Sequence, residues 1–187
     1  MGRKNETGSA QAIIIMGVSG SGKSTLASLL GTALDCPFFE GDSFHSEANV
    51  EKMRGGVPLT DQDRWPWLDA LGTAIGKAVR EEGAAVAACS ALKHIYRDRL
   101  RTAIGAPVSF VLLEVGRDEL VRRLNNRPGH YMPAGLIDSQ LAILERPGPG
   151  ERALAIDSTV PPADEADRVL QWLAGEGVTT EKTARAG

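Results

Sequence analysis

The sequence predicts an α/β fold, three layers deep (αβα), around a five-stranded parallel sheet. Two observations carry this. Short apolar runs at 12–16, 38–40, 84–89, 108–115 and 153–156 alternate with stretches of helical periodicity, and that rhythm gives a parallel sheet covered by helices on both faces. The first of these runs leads into Gly17-x-x-x-x-Gly22-Lys23-Ser24 and then a helical pattern, the strand, loop, helix order of a Walker A phosphate loop.

Each element follows from its own residues. Residues 1–10 hold Gly, Ser, Asn and charge without periodicity and read as a disordered leader. After the loop, Leu26, Leu29, Leu30, Ala33 and Leu34 recur at the spacing of one buried helical face, and Pro37 then opens the strand at 38–40. Residues 41–56 turn polar, with a short helix expected at 46–54 and a break at Gly55-Gly56-Val57-Pro58. Thr60 is the expected N-cap of a longer helix, with Asp63 as an acidic capping-box partner and Pro66 tolerated in the opening turn. That helix buries Trp67, Leu68, Leu71, Ile75, Ala78 and Val79 and stops by Gly83. The continuously apolar strand at 84–89 is expected to be buried on both faces. A basic helix with Tyr96, Leu100 and Ile104 on one side follows, then the strand at 108–115 and a helix at 117–125. Arg127-Pro128-Gly129-His130-Tyr131-Met132-Pro133 interrupts the helical pattern, which resumes at 134–144. A Pro/Gly loop at 146–150, the last strand, an amphipathic helix through Val169 and Leu173, and a weakly structured tail from about 176 complete the chain. The expectation is one domain over 11–175, without internal repeats.

The loop is a nucleotide-phosphate site for a physical reason. A chain that wraps a polyphosphate turns its N–H groups inward, and Gly17, Gly20 and Gly22 permit the dihedrals and the close approach. The following helix N-terminus attracts anions. Lys23 is the expected contact to the β- and γ-phosphates, Ser24 the expected Mg²⁺ ligand, and Ser19, Ser21 and Thr25 complete the ATP cradle. A net charge of -3 with 21 scattered Lys and Arg gives no basic field for nucleic acid. No apolar run reaches the length of a membrane span, and 1–10 lack the apolar core of a signal peptide. Cys36 and Cys89 lack metal-ligand spacing and read as reduced core thiols. These features suit a cytoplasmic enzyme acting on small molecules.

A phosphate loop alone leaves hydrolysis, phosphoryl transfer and simple binding open. The chain has no Asn-Lys-x-Asp run for guanine, and its third and fourth strands do not end in a Walker B aspartate. Small size, a polar insert after the second strand and an Arg-bearing break between two helices favour a P-loop small-molecule kinase, with a substrate cap at about 43–60 and a lid at about 123–135. Asp42 closes the second strand, so it belongs beside the loop, off the carboxyl ends of the strands. There a carboxylate accepts a hydroxyl proton or holds a Mg²⁺-bound water. Lys52, Arg54, Arg64, Lys93 and Arg97 lie near enough in this plan to suggest an anionic acceptor.

Two blocks carry a more specific likeness. Gly41-Asp42-x-x-His45, continuing through Asn49-x-x-Lys52-Met53-x-x-Gly56-x-Pro58-Leu59-x-Asp61-x-Asp63-Arg64-x-Pro66-Trp67-Leu68, resembles the gluconokinases, as does Cys89-Ser90-Ala91-Leu92-Lys93-x-x-Tyr96-Arg97-Asp98-x-Leu100-Arg101. Arg127-x-Gly129-His130 and Gln140 continue the match, which covers the chain from Ile13 to about Leu173. Three positions depart from the family pattern: Glu40 for Asp, Ser46 for Pro, and Pro128 for a frequent lid Lys, which throws weight on Arg123 and Arg127. The resemblance implies ATP- and Mg²⁺-dependent phosphorylation of D-gluconate, a sugar acid, at its 6-hydroxyl by a homodimer. Lys23, Asp42, Arg123 and Arg127 are then the expected catalytic groups. Asp42, His45, Arg54, Lys93, Arg97, His130 and Gln140 are the expected substrate contacts. Shikimate-type and nucleoside-monophosphate kinases, or a nucleotide-binding module without turnover, are the competing readings. Phe44 stands where shikimate kinases carry a second Asp.

Overall fold

The computed structural model describes residues 10–126 and 134–175. The expected leader, the tail and the lid residues 127–133 lie outside the described residues. The elements run β1 (Gln11–Met16), α1 (Lys23–Ala33), β2 (Phe38–Glu40), a 3-10 turn (Gly41–Phe44), α2 (Glu47–Arg54), α3 (Asp61–Glu82) and β3 (Ala84–Ala88). They continue with α4 (His94–Ile104), β4 (Val108–Glu114), α5 (Arg117–Asn125), α6 (Ala134–Ile143), β5 (Ala153–Asp157) and α7 (Pro162–Leu173). The 3-10 turn is the one element here that periodicity did not suggest, because four residues hold no period.

All five strands are parallel, in the order β2-β3-β1-β4-β5. β1 is central and splits its side chains by the period of two: Ile13 and Ile15 join Leu26 and Leu30 of α1 and Val169 of α7 on one face. Ala12, Ile14 and Met16 meet Leu68, Leu71 and Ile75 of α3 and Leu100 of α4 on the other. These are the expected three layers. A third apolar cluster, Val18, Leu92, Leu120, Leu124 and Ile137, seats α5 and α6 over the carboxyl edge of the sheet.

The start of α3 forms as its sequence demands. Thr60 caps the helix by accepting from the Asp63 N–H, and Asp63 returns the bond to the Thr60 N–H at 2.9 Å. Lys52 of α2 adds a 2.6 Å ion pair to the same aspartate, which sits at a pKa of about 2 chiefly through that contact. The cap is thereby tied to α3, and both open onto the carboxyl ends of β1, β2 and β3.

Candidate active site

The loop after β1 has the geometry of an anion cradle. Gly17, Gly20 and Gly22 have φ of 139°, 82° and 102°, values that L side chains resist. A Cβ at Gly17 would fall 2.9 Å from the Leu113 carbonyl oxygen, so the loop also needs the missing side chain for space. Gly22 caps α1 without any side-chain bond to its first-turn amides, which leaves the helix terminus to an incoming anion. The Ser19 N–H already donates to an oxygen, Oε1 of Gln140, at 2.7 Å. Lys23 folds back with Nζ donating to the Val18 carbonyl at 2.9 Å. Ser24 and Thr25 are exposed in the first turn of α1. This donor set fits a polyphosphate. A Mg²⁺ held by that phosphate and the Ser24 hydroxyl needs no acidic cluster, and none of three or more His, Cys, Asp or Glu occurs among the described residues.

The back of the loop is braced. The Ser21 carbonyl accepts from Ser158 Oγ at 2.9 Å and from Arg123 Nη1 at 3.3 Å. Arg123 also donates Nε to Glu119 at 2.7 Å and Nη2 to the Ser158 carbonyl. Sequence placed it over the transferred phosphoryl group; here its donors hold the loop to the end of β5, and it is not among the residues that line the acceptor cavity. Ser158 and Glu119 were not identifiable from the sequence, because their partners lie on the distant loop and on a charge-rich helix face.

The acceptor side is built by the end of β2. Gly41 packs so tightly that a Cβ there would sit 2.4 Å from the Ala88 carbonyl oxygen, and Trp67 Nε1 donates to the Gly41 carbonyl at 2.7 Å. The next residue, Asp42, is exposed and shares a cavity of about 470 Å³ with Lys23, Ser19 and Ser90. His45 lines the same cavity and stacks on Trp67 with ring centroids 4.0 Å apart. Burial lowers the His45 pKa, with Asp42 opposing and Arg64 reinforcing the shift, so the imidazole is neutral near pH 7. Its Nδ1 is buried with no hydrogen-bond partner among the described residues. Cys89, buried in the core just after β3, is pushed up to about 12 by burial and feels Asp42, Lys23 and Arg64. It is an inert core thiol.

A third wall comes from the start of α3 and from α4. Lys93 lines the cavity, but its Nζ is paired with Asp61 at 2.9 Å, and Tyr96 Oη donates to the same carboxylate at 2.5 Å. Those two bonds, the Tyr96 hydroxyl first, hold Asp61 below the usual carboxylate range. Arg64 lies in this wall, its guanidinium 5.3 Å from the Tyr96 ring centroid. A groove of about 510 Å³ lies between α3 and α4, but Arg99 and Asp69 within it are spent on each other at 2.6 Å.

Two expected substrate contacts, Arg97 and Arg54, are not among the residues that line the cavity. Arg97 is completely buried, with Nε and Nη2 on Glu151 at 2.6 and 2.9 Å and Nη1 on the Glu145 and Ala91 carbonyls at 2.9 and 3.2 Å. It holds the loop after β3, where Ala91 has a φ of +44°, and each of its three nitrogens already donates to a protein oxygen. Arg54, at the end of α2, is exposed and outside the cavity lining, whereas Met53 beside it faces in. Gln140 lines the cavity but spends its carbonyl oxygen on the phosphate loop. Arg127 and His130 lie outside the described residues. Asp61 and Tyr96 had no role from sequence, and Arg64 was one of five cations pointing to an anionic acceptor; all three fall in the blocks that carry the family likeness.

Comparison with known proteins agrees with this geometry. A family model described as an AAA domain matches residues 13–147. A gluconokinase from Gluconobacter oxydans (strain 621H) is 46% identical over 164 residues, 88% of this chain and 92% of that protein. The crystal structure of a gluconokinase from Sinorhizobium meliloti 1021 superposes with a TM-score of 0.81 at 41% identity, covering 90% of this chain and 94% of the other. A shikimate kinase from Acinetobacter baumannii, solved with shikimate, superposes at 0.60 over 92% of this chain and 97% of its own, but with 17% identity it shares the fold alone. With the loop of one strand facing the carboxylate of the next across a small polar cavity, the chain belongs to the gluconokinase family of phosphate-loop kinases.

Proposed function

We propose that the protein transfers the γ-phosphoryl group of ATP to the 6-hydroxyl of D-gluconate, giving 6-phosphogluconate. The observation that carries this reading is that Lys23 of the phosphate loop and Asp42 at the end of β2 line one cavity of about 470 Å³. Phosphoryl transfer through a loose transition state asks for positioning and charge stabilisation more than covalent chemistry. Bound MgATP supplies the phosphoryl group and part of the countercharge. Lys23 leaves the Val18 carbonyl to meet the phosphate, and the loop amides, held from behind by Arg123 and Ser158, fix its oxygens. Asp42 orients the acceptor hydroxyl and takes its proton. Neutral His45, rigid on Trp67, supplies a hydrogen-bonding nitrogen to a neighbouring hydroxyl.

Arg127 and His130 are assigned to the transferred group and the sugar hydroxyls on the resemblance of their block. The same resemblance supports Mg²⁺ as the metal and a homodimer as the assembly. A cytoplasmic location follows from the use of ATP. No helix among the described residues is long and apolar enough to cross a membrane. The shikimate-type reading is not favoured, since that likeness extends to the fold only.

A coupled ADP assay over gluconate, shikimate, neutral polyols and nucleoside monophosphates tests the reading. ADP release should depend on gluconate, and Asp42→Ala should lower kcat by about 100-fold or more. Robust turnover of shikimate or a nucleotide without gluconate turnover would reject it.

A further inference from the structure

The structure assigns the acid end of the acceptor to Arg64: we infer that this guanidinium, on the α3 wall, anchors the substrate carboxylate and makes the site selective for sugar acids over neutral polyols. The inference rests on the gluconate reading and adds a residue to it.

Four observations carry it. Arg64 lines the cavity that holds Lys23 and Asp42, so a ligand with its reacting hydroxyl at Asp42 shares a small volume with this charge. No carboxylate lies within ion-pair distance of Arg64 among the described residues, although Arg97, Arg99, Arg117, Arg122 and Arg123 each have one. Among the described residues its Nε is buried without an acceptor, and its Nη2 makes one long 3.4 Å bond, to the Leu59 carbonyl. The side chain is also held in place, lying over Tyr96.

An unmet buried donor is a cost that native structures avoid. A planar carboxylate taken side-on by Nε and Nη2, after a small rotation of the side chain, removes it. Arg97 grips Glu151 through the same two nitrogens in this protein, so the proposed bond type is one the fold already makes. Arg geometry suits it, since the guanidinium fork matches a carboxylate in two parallel hydrogen bonds.

The rival cation in the wall is Lys93. Its charge is already met by Asp61, which also accepts from Tyr96. Asp61 is the one acidic group in this wall, and these two donors turn it away from repelling a ligand. Arg64 is thus the cation left over for an incoming anion, while Asp42 and neutral His45 serve the hydroxyls.

The test compares D-gluconate with D-gluconamide, its neutral amide, in wild type, Arg64→Gln and Arg64→Lys. The readouts are KM and kcat for gluconate, the Kd of each ligand by calorimetry in the presence of a non-hydrolysable ATP analogue, and the melting temperature. Arg64→Gln should raise the gluconate KM about 10- to 100-fold, with a smaller change in kcat and an unshifted melting temperature. Its gluconamide Kd should stay within about threefold of wild type, so that the preference for the acid disappears; Arg64→Lys should recover part of it. An unchanged gluconate KM, or equal losses for acid and amide, would overturn the assignment. Absence of gluconate turnover by the wild type would instead remove the functional reading and this inference with it, and that arm is read before any variant.

Discussion

Arg97 and Arg64 touch the same tyrosine neighbourhood yet do opposite work. Arg97, one residue beyond Tyr96, is buried with its donors on Glu151 and on the Ala91 and Glu145 carbonyls. Arg64 lies over the Tyr96 ring, lines the cavity and keeps a buried Nε with no acceptor among the described residues. A satisfied buried cation is architecture: its desolvation is offset inside the protein, and nothing remains to bind a ligand. An unsatisfied one at a cavity is a place for a ligand. Residue type does not separate these cases, and neither does proximity to a motif. The inventory of partners does.

Breaking the closed side should have the largest effect. Arg97→Met leaves the buried Glu151 carboxylate without its guanidinium, with the Gly148 N–H and His94 as its remaining partners, and should cost about 3 kcal/mol of stability by denaturant unfolding. The double replacement Arg97→Met with Glu151→Leu should recover much of that loss. A stable Arg97→Met protein with a raised gluconate KM would put Arg97 on the substrate after all. The Arg64→Gln variant is the counterpart, with its effect in KM and little in stability.

Acid should act on the same closed pair. Burial alone would raise the Glu151 pKa, but Arg97, the Gly148 N–H and His94 together hold it at about 2, below the usual 4.5. A depressed carboxyl means that the unfolded chain binds the extra proton first. The contribution is therefore complete above pH 4.5 and is lost as pH falls from there toward 2. Asp63 and Glu119, also at about 2, lean the same way from half-buried positions. In acid titrations of unfolding free energy, the Arg97→Met, Glu151→Leu double variant should show a shallower decline than wild type. An identical slope would mean that the pair is not what acid breaks.

The smallest expected effect is local to the open side. Thr60→Ala removes the side-chain acceptor for the Asp63 N–H at the start of α3 and should cost about 1 kcal/mol. Since Asp63 keeps its ion pair with Lys52, α3 should stay in place and the gluconate KM should change less than in Arg64→Gln. A larger KM change would show that the cap, more than the charge, positions Arg64.

Much of the site was legible from sequence where the chemistry is local. The loop from Gly17 to Ser24, the cap of α3 and the position of Asp42 at the end of a strand each depend on residues a few places apart. The bonds of Arg123 and Arg97 were not legible for a shared reason: their partners, Ser158 and Glu151, lie 35 and 54 residues away. Glu151 moreover sits beside a Pro/Gly loop that offers no periodicity. Gln140 was named as a site residue, but its bond to Ser19 spans 121 positions and no spacing could have supplied it.

By itself, the sequence determined the order of strands and helices, the phosphate loop and the family, because hydrophobic period, glycine placement and capping are written in neighbouring residues. Tertiary structure alone decided which cations remain available to a ligand. Whether an arginine is spent or free depends on the carboxylates and carbonyls that folding brings within hydrogen-bond reach, and that reach is a property of space, not of spacing along the chain.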